Sequence, residues 1–224
     1  MLSFVSSLSP DSGGFAIFVS EKYEYKDKRD VLSNSVIEKI NSHLSILKAK
    51  KREEDISFFD ISNKQKCFVI KVKSKFESYW PQENGGSFYS YLKKFKDIKK
   101  VDLYADSLNF DKDELVDFFS QFIFGFDLKS YAFNKYKTLN KEKINQKIVF
   151  KVISKNKEKI EKKYKYYNAI KEGVFLSRDL VSEPPNILNP KTYVKEIQKL
   201  SKLGLRIKSY NEKELKKLGL NALL

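Results

Sequence analysis

Five short apolar runs rich in Phe, Ile and Val alternate with longer segments whose apolar residues recur every three or four positions. The runs are FAIFVS (15–20), ISFFDI (56–61), CFVIKV (67–72), VDLYA (101–105) and KIVFKVI (147–153). Stretches of that length and composition suit strands, and segments of helical period between them bury their apolar faces by lying across a sheet. The alternation predicts an α/β layer architecture, with a mixed sheet flanked by helices. The polar turn at 62–65 makes the second and third runs neighbours. Val31, Val36, Ile37, Ile40 and Leu44 mark a first helix, and the stretch after Pro81, ENGGSFYSYLKKF, reads as a glycine turn feeding a second. Leu115, Phe118, Phe119 and Phe122 mark a third.

From Lys157 the pattern becomes a single long helix, with Ile160, Tyr164, Tyr167, Ile170, Val174 and Val181 on one face and lysines on the other. Pro184 and Pro185 stop it, since neither ring donates to the helical ladder and each drives the preceding residue toward extended backbone. Asn189-Pro190 restarts a helix, with Asn as cap and Pro at the first helical position. That helix is expected to end at Leu203-Gly204, followed by a strand LRIKSY (205–210) and a short helix opened by Asn211 and Glu214 and closed at Gly219. The expected organisation is an α/β domain over 1–153, a connecting helix over 154–185, and the start of a second α/β domain over 186–224.

An apolar fraction of 41%, with 18 Phe and 13 Tyr, supplies a core despite 33% charged residues. The net charge of +15 permits attraction to nucleic acid. Only four of the 44 basic residues are Arg, however, and Arg is the side chain that bidentate recognition of phosphates and bases prefers. Cys67 and His43 are the sole cysteine and histidine, which excludes an intrachain disulfide and a Cys/His zinc site and fits a reducing compartment. The first 14 residues lack a basic, then apolar, secretory pattern, and no run reaches the length of a membrane span, so a cytoplasmic protein with no membrane partner is expected.

No candidate site assembles from these residues. Asp11-Ser12-Gly13-Gly14 reads as a turn before the first strand. Gly85-Gly86-Ser87 could offer free backbone N–H groups to an anion, but lacks the Lys-Ser/Thr of a phosphate loop and the spacing of a dinucleotide loop. His43 reads as a boundary residue of its helix, and Cys67 as a small buried hydrophobe. Asp111, Asp113 and Glu114 suit the positive end of the third helix without a metal. Arg178 and Asp179, beside the proline break, suit a helix end and a contact between domains or subunits.

The stretch 173–190, GVFLSRDLVSEPPNILNP, the later ELKKLGLNALL (214–224) and the shorter YAFNKYKT (131–138) carry a family likeness. Together they resemble the part of the leucyl (cytosol) aminopeptidase family that joins the amino-terminal domain to the catalytic one. The resemblance implies an amino-terminal domain similar to macro domains, followed by a catalytic domain in which two divalent metals, zinc or manganese, activate water for removal of amino-terminal residues from peptides. It also implies a homo-hexamer. The family's metal-binding carboxylates lie in sequences similar to TFDSGG and NTDAEGR, and neither occurs here in the proper place. The DSGG at 11–14 precedes the connecting helix and has no partner motif. No catalytic, cofactor-binding or metal-binding residue is therefore assigned to any position. The expectation is a truncated aminopeptidase, inactive alone and serving scaffold and oligomer roles. The alternative is a nucleic-acid-binding or nucleotide-binding macro-like module.

Overall fold

The computed structural model describes residues 3–5, 12–25, 31–49, 54–138 and 148–224. They fall in two compact units, 1–173 and 174–224. The first unit holds a six-stranded sheet of β1 (Ser3–Val5), β2 (Gly14–Ser20), β3 (Ile56–Ser62), β4 (Gln65–Val72), β5 (Lys100–Tyr104) and β6 (Val149–Ile153). The order is β1-β6-β5-β2-β4-β3. All neighbours are parallel except the β3/β4 hairpin, whose register shifts between Asp60 and Ser62. The five strands expected within 1–153 are present. The start of the last, Lys147, lies outside the described residues, and β1 has no counterpart in the reading of the sequence. Three residues are too few to show a period.

Strand β2 explains why one run can be apolar throughout. Six of its seven residues are buried. Ala16 and Phe18 face one core, and Phe15, Ile17 and Val19 face the other. A strand flanked by parallel neighbours and covered on both sides needs apolar side chains in both directions. Helix α1 (Asn34–Ala49) covers the second face through Ile40, Leu44 and Leu47. Helices α2 (Trp80–Leu92) and α3 (Lys112–Ser130) cover the first, where Phe18 meets Phe119 edge-on at 4.7 Å and Phe122 at 5.3 Å.

The start of α3 is fixed by Asp111, whose Oδ1 accepts from the backbone N–H groups of Asp113 and Glu114, both at 2.9 Å. Glu114 returns the contact by accepting from the Asp111 N–H at 3.3 Å. The acidic cluster read from the sequence is thus a capping box.

Gly85 and Gly86 correct an expectation. They lie inside α2, so the glycine turn and the anion loop do not exist. Their backbone groups belong to the helical ladder. The reason for glycine is a close helix crossing: a Cβ on Gly85 would sit 1.9 Å from the Phe122 carbonyl oxygen of α3, and one on Gly125 would sit 1.9 Å from the Gln82 oxygen of α2. Gly86 has ordinary room, with its nearest atom at 3.6 Å.

Helix α4 (Lys157–Ser182) begins as expected, with Ile160 and Tyr164 buried. The Tyr164 hydroxyl donates to the Asp127 carboxylate of α3, and Lys171 lies 3.5 Å from the same carboxylate. Burial, with Asp127 adding to it, pushes the Tyr164 hydroxyl far above the usual tyrosine range. The apolar stripe does not stay covered along its length, since Ile170 and Val181 are exposed.

After Ser182 the carbonyl of Pro184 accepts from the N–H groups of Ile187 and Leu188, both at 2.9 Å. Asn189 then caps α5 (Pro190–Gln198), accepting from Lys191 and Thr192, while Thr192 accepts from the Asn189 N–H. A 3₁₀ turn (Lys199–Leu203) ends at Gly204 with φ +89°. Helix α6 (Glu212–Lys217) is opened by the Asn211/Glu214 capping box and followed by Gly219 at φ +73°. The expected strand at 205–210 is absent: the segment has no regular structure. A β-rich run becomes a strand only beside a partner that takes up its N–H and C=O groups, and all six described strands pair within 3–153.

The α2/α3 crossing yields a graded expectation. Gly85→Ala and Gly125→Ala each force the two backbones apart and cost about 3 kcal/mol, read as a lower urea midpoint at unchanged slope. Gly86→Ala should leave stability unchanged or slightly raised.

Candidate functional site

In open α/β sheets, ligands bind outside the carboxyl ends of the strands, where adjacent strands send their connections to opposite faces. Strands β2 and β5 meet that condition. Strand β2 leads to α1 on one face, and β5 leads to α3 on the other.

A single 3₁₀ turn follows β5 at this point, Ala105–Ser107. The Ser107 hydroxyl donates to the Tyr104 carbonyl at 2.6 Å and accepts from the Phe18 N–H of β2 at 2.8 Å. Asp106 spans to the next strand: one carboxylate oxygen accepts from the Ser154 hydroxyl at 2.6 Å, the other from the Lys155 N–H at 2.7 Å. Ser154 in turn accepts from the Asn156 N–H at 3.0 Å. Asp106, Ser107 and Ser154 are all buried. These side chains occupy backbone donors at the strand ends and tie β2, β5 and β6 together. The arrangement acts as a clamp, in which the buried Ser107 and Ser154 hydroxyls and the Asp106 carboxylate hold the strand ends.

None of these three residues stood out in the sequence. The available signal is faint: a small polar residue directly after an apolar strand, as in LYADS and VIS.

The residues singled out earlier are scattered. Among the 11–14 stretch, Asp11 lies outside the described residues, and Gly14 opens β2. His43 Nε2 lies 3.0 Å from the Ser57 hydroxyl of β3, with its ring 4.8 Å from that of Phe59. A shallow cleft of about 550 Å³ beside it is lined by Glu38, Lys39, Ile46 and Asp60. Partial burial pulls the His43 pKa down, and the charge of Glu54 opposes that. Cys67 is fully buried, and desolvation pushes its thiol well up, away from the thiolate a nucleophile needs. Arg178 and Asp179 are exposed on α4. Among the described residues no three His, Cys, Asp or Glu side chains lie close enough to share an ion. Among the same residues no helix is long and apolar enough to cross a membrane.

Two measurements check this geometry. Ser107→Ala strands the Phe18 N–H in the core and should cost about 1–3 kcal/mol in unfolding free energy, the penalty of a buried unpaired donor. For His43 the depressed folded pKa means that the unfolded chain binds its proton first. Its contribution is complete above the ordinary histidine range and falls as pH drops through the folded midpoint. The ring titration, followed by NMR on the sole histidine, should show a midpoint below that of a histidine in a model peptide.

No family model matches the chain. A probable cytosol aminopeptidase of Phytoplasma mali is 39% identical over 144 residues, which is 62% of this chain and 28% of the relative. One of Agrobacterium fabrum is 38% identical over 133 residues, 58% of this chain and 26% of the relative. The chain thus spans about a quarter of the length of the curated relatives it matches. Among solved structures, a tomato leucine aminopeptidase mutant shares the fold with a TM-score of 0.73 at 19% identity, covering 97% of this chain and 46% of that one. The bottromycin maturation enzyme BotP in complex with Mn follows at 0.63 and 14%, covering 93% and 40%. The mixed sheet flanked by helices and the long helix behind it are those of the amino-terminal region of leucine aminopeptidase. Over the stretch it shares with these proteins, the chain is similar to the leucyl (cytosol) aminopeptidases.

Proposed function

We propose that the chain serves as the amino-terminal portion of a leucyl aminopeptidase, a metal-dependent enzyme that removes amino-terminal residues from peptides in the cytosol. The observation that carries this is the pairing of sequence identity near 39% with coverage of only 28% of the relative. In this reading residues 1–153 form the amino-terminal α/β domain, 154–185 the connecting helix, and 186–224 the opening of the catalytic domain. The complete enzyme is a homo-hexamer holding two divalent cations, zinc or manganese.

The residues described here do not fit such a pair of ions, because no carboxylate cluster is available to hold them. No step of hydrolysis is therefore assigned to them. Their work is mechanical: a sheet clamped at its strand ends and a helix, α4, whose start is held by buried Ile160 and by the Tyr164–Asp127 hydrogen bond to α3. A rigid scaffold of this kind can hold a catalytic partner in a fixed position.

The purified chain with added Mn²⁺ or Zn²⁺ should release no p-nitroaniline from leucine p-nitroanilide above a protein-free blank. Turnover that survives repurification and tracks the chain through a gradient would overturn the scaffold assignment.

A further inference from the structure

Strands β2 and β4 also meet the switch-point condition. They pair in parallel, β2 leading to α1 on one face of the sheet and β4 to α2 on the other. Just past their carboxyl ends the Ser74 hydroxyl donates to the Glu21 carboxylate at 2.7 Å, which ties the β4–α2 connection to the end of β2. That connection and the first turn of α2 line a cleft of about 420 Å³, a size within the roughly 300–1,000 Å³ of small-molecule sites.

Part of the lining is aromatic and already in place. The rings of Phe76 and Trp80 stack with centroids 5.2 Å apart, and both rest against Phe118 of the core, at 5.9 and 6.2 Å. Tyr79 adds a third ring, and both it and Phe76 remain exposed. Rings backed by a core and open to solvent can receive another ring without rearranging.

The rest of the lining carries both signs of charge, Lys73 and Lys75 with Glu77 and Glu83. Lys73 Nζ lies 5.9 Å from the Trp80 ring centroid, so one ammonium already stands beside the aromatic surface. Elsewhere lysines settle onto nearby carboxylates, as Lys163 does on Asp117. In this cleft, among the described residues, neither Lys joins either Glu in an ion pair. Two cations and two anions that share a cleft without neutralising one another leave both signs open to a ligand. A polyanion meets repulsion from the Glu pair and a simple cation from the Lys pair, whereas a compact molecule with one charge of each sign beside a ring finds a partner for every group.

We propose that this cleft binds a free aromatic α-amino acid as its zwitterion, with the ring on Phe76 and Trp80, the carboxylate toward Lys73 and Lys75, and the ammonium toward Glu77 and Glu83. The site stands apart from the clamp made by Asp106 and Ser107 and does not rest on the aminopeptidase reading.

Trp80 is the sole tryptophan, so its emission reports on this cleft alone. Titration of the full chain with L-phenylalanine should give a saturable change in that emission, with half-saturation on the order of 1 mM for so small a ligand. L-phenylalaninamide, N-acetyl-L-phenylalanine and L-alanine each lack one of the three recognised groups and should each bind about tenfold more weakly or worse. Lys73→Gln with Lys75→Gln should erase the preference for the acid over its amide. Glu77→Gln with Glu83→Gln should erase the preference for the free amine over its acetylated form. Both double variants keep Trp80 as reporter, and circular dichroism checks their folding; should either fail to fold, the ligand series on the unaltered chain still decides. Four results would each overturn the proposal: no response to L-phenylalanine up to about thirtyfold above the expected half-saturation, equal affinity for the amide or the acetylated form, charge preferences that persist in the folded double variants, or tighter binding of adenosine monophosphate than of L-phenylalanine.

Discussion

A parallel sheet places the N–H and C=O groups at the carboxyl ends of its strands beside a crevice, and something has to satisfy them. In many α/β proteins a bound ligand does so. Here the chain satisfies them itself: Ser107 takes the Phe18 N–H, and Asp106 takes the Ser154 hydroxyl and the Lys155 N–H. The closure turns a potential binding edge into a joint between three strands. The macro-like binding alternative loses its structural footing here, and it loses it a second time where Gly85 and Gly86 prove to be helical.

The glycines show where sequence reading succeeds and where it stops. The five strand runs before residue 154, the acidic start of the third helix and the Asn189-Pro190 restart are local: each depends on residues within a few positions, and each appears as read. Gly85 owes its identity to Phe122, 37 positions away, whose carbonyl leaves no room for a Cβ. A pair of adjacent glycines in one sequence carries the same signature whether it makes a turn or a helix contact. Only the partner backbone distinguishes the two. Asp106 is hidden for the same reason, since its meaning lies in Ser154 and Lys155, nearly fifty positions on.

The segment 205–210 fails in the opposite direction. Its composition is right for a strand, but strand formation is a property of pairs. Residues 211–217 beside it form their helix without difficulty, since a helix closes its hydrogen bonds within itself and its caps are local. The same contrast runs along α4: helical geometry continues to Ser182 although the burial of its apolar stripe does not. A helix closes its hydrogen bonds within itself, whereas a strand needs a neighbour to close them. The irregular segment 205–210 and the exposed Leu203 and Leu205 lie side by side in the same unit.

The large positive charge fits this picture without a nucleic-acid role. The lysines are dispersed, and many find an individual partner nearby. Lys66 pairs with Asp60, Lys163 with Asp117 at 2.8 Å, and Lys71 with Asp55 at 3.6 Å. Others lie over rings, Lys94 at 4.7 Å from the Tyr91 centroid and Lys208 at 4.7 Å from that of Tyr210. Exposed pairs of this kind add little stability singly and are screened by salt. What they do accomplish is to keep an aromatic-rich chain wetted at its surface, the long lysine stems lying along apolar patches while their ammonium groups stay in water. A nucleic-acid groove would instead need the positive charges gathered along one continuous track with few acids among them. The cleft where lysines and aromatic rings do converge, Lys73 and Lys75 beside Phe76 and Trp80, has Glu77 and Glu83 in its walls, which oppose a phosphate backbone at the point where a base would stack.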